Sequence, residues 1–299
     1  MELYGGVEAG GTKFVCAIGT SPEDIRAEVR FPTTEPKETL AKTVDFFRQY
    51  MVKNNARLAG IGVGSFGPLD LNPASPNFGK ITTTPKPGWS FAPVLQTLQD
   101  ATGVPVFLDT DVNAAALGEG TWGAAKGLKD YIYITIGTGI GGGLIINGQP
   151  YHGLVHPEMG HIRLLHDQKA DPFVGICPFH GDCFEGLASG PALQARLGKP
   201  AEGVPPYHPV WELEAEYIAL ALNDFICVVS PQRIILGGGV MQQTHLFPMI
   251  RLKVQQYLNR YIFASQILEN IDEYIVPPAL GNRAGVMGAI ALAKLRTEG

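Results

Sequence analysis

Cysteine is scarce in this chain, and its scarcity excludes one class of protein. Only four of the 299 residues are cysteine: Cys16, Cys177, Cys183 and Cys227. Small secreted domains that depend on disulfides carry a much higher proportion, so no disulfide framework is expected. Two of the four lie in hydrophobic runs, where a thiol packs as a small apolar group. The cysteine content therefore predicts a protein of a reducing compartment, the cytoplasm.

Long hydrophobic runs and an excess of positive charge are also missing. No apolar run reaches the ~18 residues that a membrane-spanning helix needs, and the strand-like start leads us to expect no cleavable leader. Lysine and arginine number 23 against 28 aspartates and glutamates, a formal net charge of −5. That charge offers no attraction to nucleic acid or anionic lipid. The hydrophobic content of 45% is typical of a soluble globular protein with one large core or two smaller ones.

Glycine is abundant, with 37 residues, and it clusters where predicted strands end. The first cluster lies between two apolar, β-branched runs, which predicts a hairpin whose tip is nearly all backbone. Bare N–H groups at such a tip can bind phosphate oxygens, and the lysine or threonine can add a donor. A tight hairpin without a ligand is an equally good interpretation of this cluster alone. Its residues are Gly10, Gly11, Thr12 and Lys13.

A second glycine cluster, residues 137–142, matches the pattern G-x-G-x-x-G, and Glu158 follows about 20 residues later, as in dinucleotide-binding folds. The context differs, because residues 143–148 indicate another strand where a dinucleotide fold needs a helix. We therefore predict a second hairpin, and the duplication suggests two similar lobes that each offer a phosphate-binding loop. A third glycine turn, residues 237–239, follows the predicted strand 231–236 and is suited to a nucleotide lying against backbone.

Polar turns end two further predicted strands. Strand 58–63 runs into a loop that contains Gly67 and Pro68, at the kind of strand edge where α/β proteins bind ligands. Strand 104–108 runs into an acidic turn, in which Asp111 can act as a general base. Asp or Asn after a strand also commonly caps the next helix. Asp109 or Asn113 could be the cap instead, but from this segment alone a capping role for Asp111 is favoured.

A cluster of cysteine and histidine follows the second hairpin with the spacing C-x2-H-x2-C. The three residues are Cys177, His180 and Cys183. Thiolate and imidazole at this spacing suit a tetrahedral zinc site, and in a reducing compartment a metal site is favoured over chance. For the fourth ligand His161 is preferred to His156 and His166. Four protein ligands leave no open position for water, so the zinc is expected to be structural.

Apolar periodicity predicts the remaining elements. No low-complexity segment or Ser/Gly linker divides the chain, so a hinge is expected rather than a flexible tether. Residues 71–89 are rich in Pro, Gly, Asn and Thr and are predicted to form a long surface loop. Helices are predicted at residues 37–55, 91–102, 186–197, 211–229, 244–261 and 286–295.

Taken together, these segments resemble the ROK family of bacterial sugar kinases and related repressors, within the actin/hexokinase-like superfamily. The likeness covers nearly the whole chain, and the segments that carry it are residues 10–13, 110–119, 137–141, 157–161, the Cys/His cluster and residues 237–240. It implies an α/β, two-lobed actin/hexokinase-like (ribonuclease H-like) fold with a ligand cleft between the lobes. We expect an N-terminal lobe of residues 1–112, a C-terminal lobe of residues 113–284 with the zinc segment, and a last helix, about 285–299, packed on the first lobe.

The resemblance also implies a role for individual residues. Asp111 becomes the general base instead of a cap. The sugar would be bound by Gly67, Pro68, Thr110, Glu158, His161 and Glu185. ATP, with Mg²⁺, would be bound by Gly10, Gly11, Thr12, Lys13, Thr138, Gly139, Pro191, Gly237, Gly238, Gly239, Val240 and Met241.

Two departures from the glucose-type pattern bear on the substrate that the resemblance implies. Most glucose-type members have Asp where Glu8 stands and Asn where Thr110 stands. Glu8, together with the histidine inside the Cys/His cluster, looks like the fructokinase branch, so the expected reaction is ATP-dependent formation of fructose 6-phosphate. The family resemblance also implies a homodimer. Kinases for glucose, mannose or an N-acetylhexosamine are the alternatives. A sugar-sensing DNA-binding regulator is disfavoured by the acidic charge and by a first hairpin that begins near Gly5.

Overall fold

The structure is a computed structural model that describes residues 2–298. The strands are β1 Leu3–Ala9, β2 Lys13–Ser21, β3 Asp24–Pro32, β4 Leu58–Ser65, β5 Val106–Thr110, β6 Tyr131–Ile136, β7 Ile140–Ile146, β8 Gln149–Pro150, β9 Arg233–Gly237 and β10 Ile275–Val276. The helices are α1 Pro36–Asn54, α2 Val94–Thr102, α3 Asp111–Trp122, α4 Phe184–Ala188, α5 Gly190–Leu197, α6 Pro209–Val229, α7 Leu246–Leu258, α8 Ser265–Leu268, α9 Ile271–Tyr274 and α10 Ala284–Glu298. Within residues 2–298, no helix is long and apolar enough to cross a bilayer.

The described residues form two compact units. Unit 1 comprises residues 2–127, 148–156 and 279–298, and unit 2 comprises residues 128–147 and 157–278. Residues 113–127, 148–156 and 279–284 thus belong to unit 1, whereas the sequence-based division assigned them to the C-terminal lobe. The reason lies in α3, which packs closely on α10 within unit 1.

The sheet of unit 1 has the strand order β3-β2-β1-β4-β5. β1 and β2 form an antiparallel hairpin, while β1, β4 and β5 are parallel neighbours. Across these three strands Ala9 lies opposite Ser65, and Ser65 lies opposite Thr110. Because parallel strands end at the same edge, the first glycine loop, the turn after β4 and the acidic turn lie side by side.

Helix α10 approaches its neighbours so closely that side chains are excluded from the contacts. A Cβ on Gly62 of β4 would lie 1.9 Å from the carbonyl oxygen of Ala289. A Cβ on Gly288 would lie 1.7 Å from the carbonyl oxygen of Ala114 in α3. Since real Cβ atoms do not approach backbone this closely, glycine is required at both positions. These contacts fix α3, and with it the acidic turn, against the sheet of unit 1.

Unit 2 repeats the topology of unit 1. Its strands run in the order β10-β9-β6-β7, with an antiparallel β6–β7 hairpin and parallel β6, β9 and β10. The order β2-β1-β4-β5 of unit 1 has the same hairpin and the same two parallel strands. The prediction that residues 137–142 lie in a hairpin instead of a dinucleotide-binding loop is confirmed.

Two parts of the chain differ from the sequence-based expectation. The helix predicted at residues 186–197 is divided at Ser189 into α4 and α5. The Ser189 hydroxyl accepts a hydrogen bond from the backbone N–H of Ala192 at 3.4 Å, and Pro191 occupies the first turn of α5. Serine caps and proline at the first turn start a new helix. Strand β3 was not predicted, because none of its residues is fully buried and many of them are polar, as is typical of an edge strand.

Candidate active site and metal-binding cluster

The first glycine loop is a tight turn between β1 and β2 in unit 1. The N–H of Gly10 donates to the carbonyl of Lys13 at 3.0 Å. Thr33, directly after β3, holds the turn with two hydrogen bonds. Its hydroxyl donates to the carbonyl of Gly10 at 2.7 Å, and its N–H donates to the carbonyl of Thr12 at 2.9 Å. A Cβ on Gly11 would meet no heavy atom of the described chain within 4 Å. The tip is therefore open and consists mostly of backbone, as a phosphate-binding loop requires.

Thr110, rather than Asp109 or Asn113, is the cap of α3. Its hydroxyl oxygen accepts a hydrogen bond from the N–H of Asn113 at 3.1 Å. Asp111 is the first residue of the helix, and its Oδ1 accepts from the N–H of Val112 at 2.9 Å. The capping role that the sequence favoured for Asp111 is thus filled by its neighbour. The helix dipole favours a negative charge at this position.

The turn after β4 carries Gly67 and Pro68. The N–H of Phe66 donates to the carbonyl of Ala9 at 2.8 Å, which ties this turn to the end of β1. The N–H of Leu69 donates to Nε2 of His156 at 3.2 Å. His156 is buried, so an imidazole supports the turn from within unit 1.

Glu8 lies near the end of β1, beside the first glycine loop. Burial raises the pKa of its carboxyl, although Lys13 and Arg30 act in the opposite direction. A Cβ on Gly285 would lie 2.7 Å from the carboxyl carbon of Glu8. The side chain of Glu8, which is one methylene longer than aspartate, therefore packs against the start of α10, and the glycine at position 285 leaves room for it.

In unit 2, three backbone segments converge at the second glycine loop. The N–H of Gly137 donates to the carbonyl of Gly139 at 2.9 Å, and the N–H of Gly190 donates to the carbonyl of Gly137 at 2.8 Å. Gly238 has φ +92°, and a Cβ there would lie 2.3 Å from the carbonyl oxygen of Ile136. The hairpin, the start of α5 and the turn after β9 are therefore neighbours. They carry the residues predicted for the nucleotide in this unit: Thr138, Gly139, Pro191, Gly237, Gly238, Gly239, Val240 and Met241.

Glu185 of α4 contacts the same hairpin. Its Oε2 accepts a hydrogen bond from the N–H of Ile140 at 2.9 Å. Glu158 is exposed and precedes a short 3-10 turn, in which the N–H of His161 donates to its carbonyl at 3.0 Å. A sugar-binding role for these three residues stays a prediction.

The Cys/His cluster is assembled in unit 2. The candidate ligand atoms of His161, Cys177, His180 and Cys183 all lie within 4.8 Å of one another. Sγ of Cys183 is 3.5 Å from Nδ1 of His161, and Sγ of Cys177 is 3.6 Å from Nδ1 of His180. Metal–ligand bonds of about 2.0–2.3 Å in a tetrahedron give such separations. Burial raises the pKa of the Cys183 thiol to about 11, and a bound metal would instead favour the thiolate.

The two other histidines considered for the cluster have different partners. His156 accepts from Leu69 in unit 1. His166 contacts Asp182 through Nδ1 at 3.2 Å and the carbonyl of Asp171 through Nε2 at 2.9 Å. Asp182 also pairs with Arg163. His166 thus supports the loop that holds the cluster, and His161 is the histidine that joins it.

The comparisons with known proteins decide the family. The model of the ROK family matches residues 4–296. The chain belongs to the ROK family. A relative from Bacillus subtilis (strain 168) is 50% identical over 97% of this chain and 95% of its own. The fructokinase of Zymomonas mobilis is 44% identical over 98% of this chain and 96% of its own. The crystal structure of the ROK hexokinase from Thermus thermophilus superposes with a TM-score of 0.80 at 27% identity, covering 99% of each chain.

The raised pKa of Glu8 predicts how stability depends on pH. A carboxyl whose pKa in the folded state is higher than the unfolded value of about 4.3 lowers the free energy of unfolding as pH rises. The loss begins near the unfolded pKa and is complete above the folded pKa. Glu8→Gln removes the buried charge, so its Tm should exceed that of the wild type at pH 8, and the gain should shrink toward pH 4. Thermal unfolding of both ligand-free proteins at pH 8 and at pH 4 measures this difference in Tm.

Glu202→Gln, at an exposed carboxylate, is the matched control for the loss of one negative charge. It is expected to change Tm little at either pH. A Tm of Glu8→Gln that falls below the wild-type value at pH 8 would show that the attraction of Glu8 to the charges of Lys13 and Arg30 outweighs the cost of its burial.

Proposed function

We propose that this ROK-family protein is an ATP-dependent fructokinase that converts D-fructose to fructose 6-phosphate, with Asp111 as general base. The likeness to a fructokinase over nearly the whole of both chains is the observation that carries the substrate. The position of Asp111 at the start of α3, with capping left to Thr110, supports its role. Both departures from the glucose-type pattern, Glu8 and Thr110, agree with this substrate.

The reaction needs little covalent work from the protein, because phosphoryl transfer depends mainly on positioning and charge neutralisation. Asp111 accepts the proton of the attacking sugar hydroxyl as that oxygen bonds to the γ-phosphorus and ADP departs. The open backbone of the first glycine loop, with Lys13, is suited to phosphate oxygens. Exclusion of water from the site prevents ATP from being hydrolysed instead of transferring its γ-phosphoryl group to the sugar.

Mg²⁺ is part of the proposal, and Glu8 is the residue proposed to reach the ion or its water ligands. Hard cations prefer oxygen ligands, and the carboxylate of Glu8 stands at the end of β1 beside the glycine loop. When bound, Mg²⁺ neutralises phosphate charge. Lys13 adds a second positive charge at the same loop.

The proposed sugar contacts are Gly67, Pro68, Thr110, Glu158, His161 and Glu185. Thr110 can serve the sugar while it caps α3. Its oxygen accepts from Asn113, which leaves the hydroxyl hydrogen to be donated. Glu185 likewise has acceptor capacity beyond its bond to Ile140, since a carboxylate offers about four lone-pair sites.

The nucleotide is proposed to bind the first loop, residues 10–13, and the three converging segments of unit 2. Gly190 and Gly238 allow the close backbone approach of these segments. Pro191 lacks an N–H but sits in the first turn of α5, where helix N–H groups have no partner within the helix. The positive end of the helix dipole at this first turn favours a negatively charged ligand nearby.

Zinc is the metal proposed for the Cys/His cluster, in a structural role. Two thiolates and two imidazoles are a ligand set that zinc prefers, and the donor separations suit tetrahedral geometry. A metal in the cluster would tie together residues 161–183, a segment whose hydrophobic residues Ile162, Leu164 and Phe173 pack on the core only partly buried. A homodimer and a cytoplasmic location stay predictions.

Metal analysis tests the zinc proposal. The purified protein is expected to contain about one zinc per chain, and Cys183→Ser should lose most of it because one thiolate ligand is gone. A strong chelator should lower the Tm of the wild type. Cys227→Ser, at an exposed cysteine outside the cluster, should keep the metal. Wild-type zinc content near zero, or full content in Cys183→Ser, would contradict the proposal.

A kinase for another hexose is the second candidate, since the Thermus thermophilus structure is that of a hexokinase. ADP release with Mg-ATP should therefore be measured for fructose, glucose, mannose and N-acetylmannosamine. We expect kcat/KM for fructose to exceed the other values by at least about tenfold, the scale that differential binding of similar substrates supplies. Preference for another sugar would refute the substrate, and no ADP release with any sugar would refute the kinase proposal.

A further inference from the structure

A short segment of unit 1, residues 151–156, contacts two of the turns that the proposed function places at the sugar. Two of its residues, His152 and His156, make these contacts. Neither was assigned a sugar or catalytic role by its position in the sequence. We call residues 151–156 the histidine strap.

His156 holds the turn after β4. Its Nε2 accepts from the N–H of Leu69, which directly follows Gly67 and Pro68. A Cβ on Gly67 would lie 3.7 Å from the same nitrogen. The imidazole is buried, so this turn packs directly on the strap.

His152 holds the acidic turn through Asp109. Its Nε2 lies 3.1 Å from Oδ1 of Asp109, whose side chain is only 2% exposed. Oδ1 of Asp109 already accepts from the backbone N–H of Thr110, so in the bond to His152 it is again the acceptor and Nε2 is the donor. Nε2 is also 3.4 Å from Nδ2 of Asn113. Nε2 of His152 and Nδ2 of Asn113 are both donors in this arrangement, so they do not bond to each other. The bond from His152 to Asp109 is therefore the one that links the strap to the turn.

Asp109 in turn organises the backbone that leads into Asp111. Its Oδ1 accepts from the N–H of Thr110 at 2.8 Å and from Nδ2 of Asn113 at 2.7 Å. Both of these donors belong to the turn itself. His152 is the donor among these three that comes from a distant segment, 43 residues later in the chain. Loss of this donor leaves a buried carboxylate with one fewer partner, which is costly.

We propose that His152 is a positioning residue, which acts through Asp109 to fix the start of α3 and so the direction of the Asp111 carboxylate. The proposal rests on the role of Asp111 in the proposed function. His152 transfers no proton and forms no bond to the substrate. Together with His156, it makes the histidine strap a common support for the sugar-side turn after β4 and for the turn that carries the base.

The test compares His152→Leu with His152→Gln. Leucine retains bulk without a donor, whereas the amide nitrogen of glutamine can replace Nε2 as a donor to Asp109. In His152→Leu we expect kcat to fall about 10- to 100-fold with little change in KM for ATP, because a small misplacement of a catalytic group is costly. His152→Gln should recover most of kcat. Val52→Ala, at an exposed residue of α1 outside the strap, should match the wild type.

Amide hydrogen exchange of the ligand-free variants tests the same proposal without any activity assay. Peptides that contain residues 109–113 should exchange about tenfold faster in His152→Leu and near the wild-type rate in His152→Gln. Unchanged exchange in His152→Leu, or equal losses of kcat in both variants, would overturn the proposal. A wild type without kinase activity would refute the proposed function, whereas the exchange result would still decide whether His152 fixes the turn.

Discussion

The register of three parallel strands in unit 1 is the constraint on which the candidate active site depends. Ala9, Ser65 and Thr110 lie in one row across β1, β4 and β5. A shift of one residue in any strand would turn its side chains to the opposite face and displace its terminal turn. The glycine contacts of α10 with β4 and α3 support this register from one side. The chemistry proposed for Asp111 therefore relies on packing that is remote from it in sequence.

The second unit uses the same topology to present a different set of groups. Its hairpin is joined by the start of α5 and the turn after β9, and these offer mainly backbone groups, with the carboxylate of Glu185 beside the hairpin. The acidic turn, in contrast, belongs to unit 1. In the proposed function, the base belongs to unit 1, and unit 2 carries most of the residues proposed for the nucleotide. The Cys/His cluster, whose residues could hold a metal ion, adds a further loop to this framework, and among the described residues such a cluster occurs in unit 2 alone.

The sequence predicted those features that depend on local pattern. The two hairpins follow from glycine between β-branched runs, and the set around Cys177 and Cys183 follows from spacing. The cap of α3 was not predicted, because Asp109, Thr110, Asp111 and Asn113 are all acceptable caps and only coordinates distinguish them. The bond from His152 to Asp109 joins segments 43 residues apart, and no periodicity signals it. Long-range polar contacts of this kind are set by tertiary packing rather than by local sequence.

The most direct test of the account is the substitution Asp111→Asn, which keeps the shape of the side chain and removes its basicity. Sugar binding measured by calorimetry should stay within a few-fold of the wild type, and kcat with Mg-ATP and fructose should fall about 10²- to 10⁴-fold, the usual contribution of a general base. Intact binding with lost turnover would support Asp111 as the base. Turnover near the wild-type value would contradict the central claim.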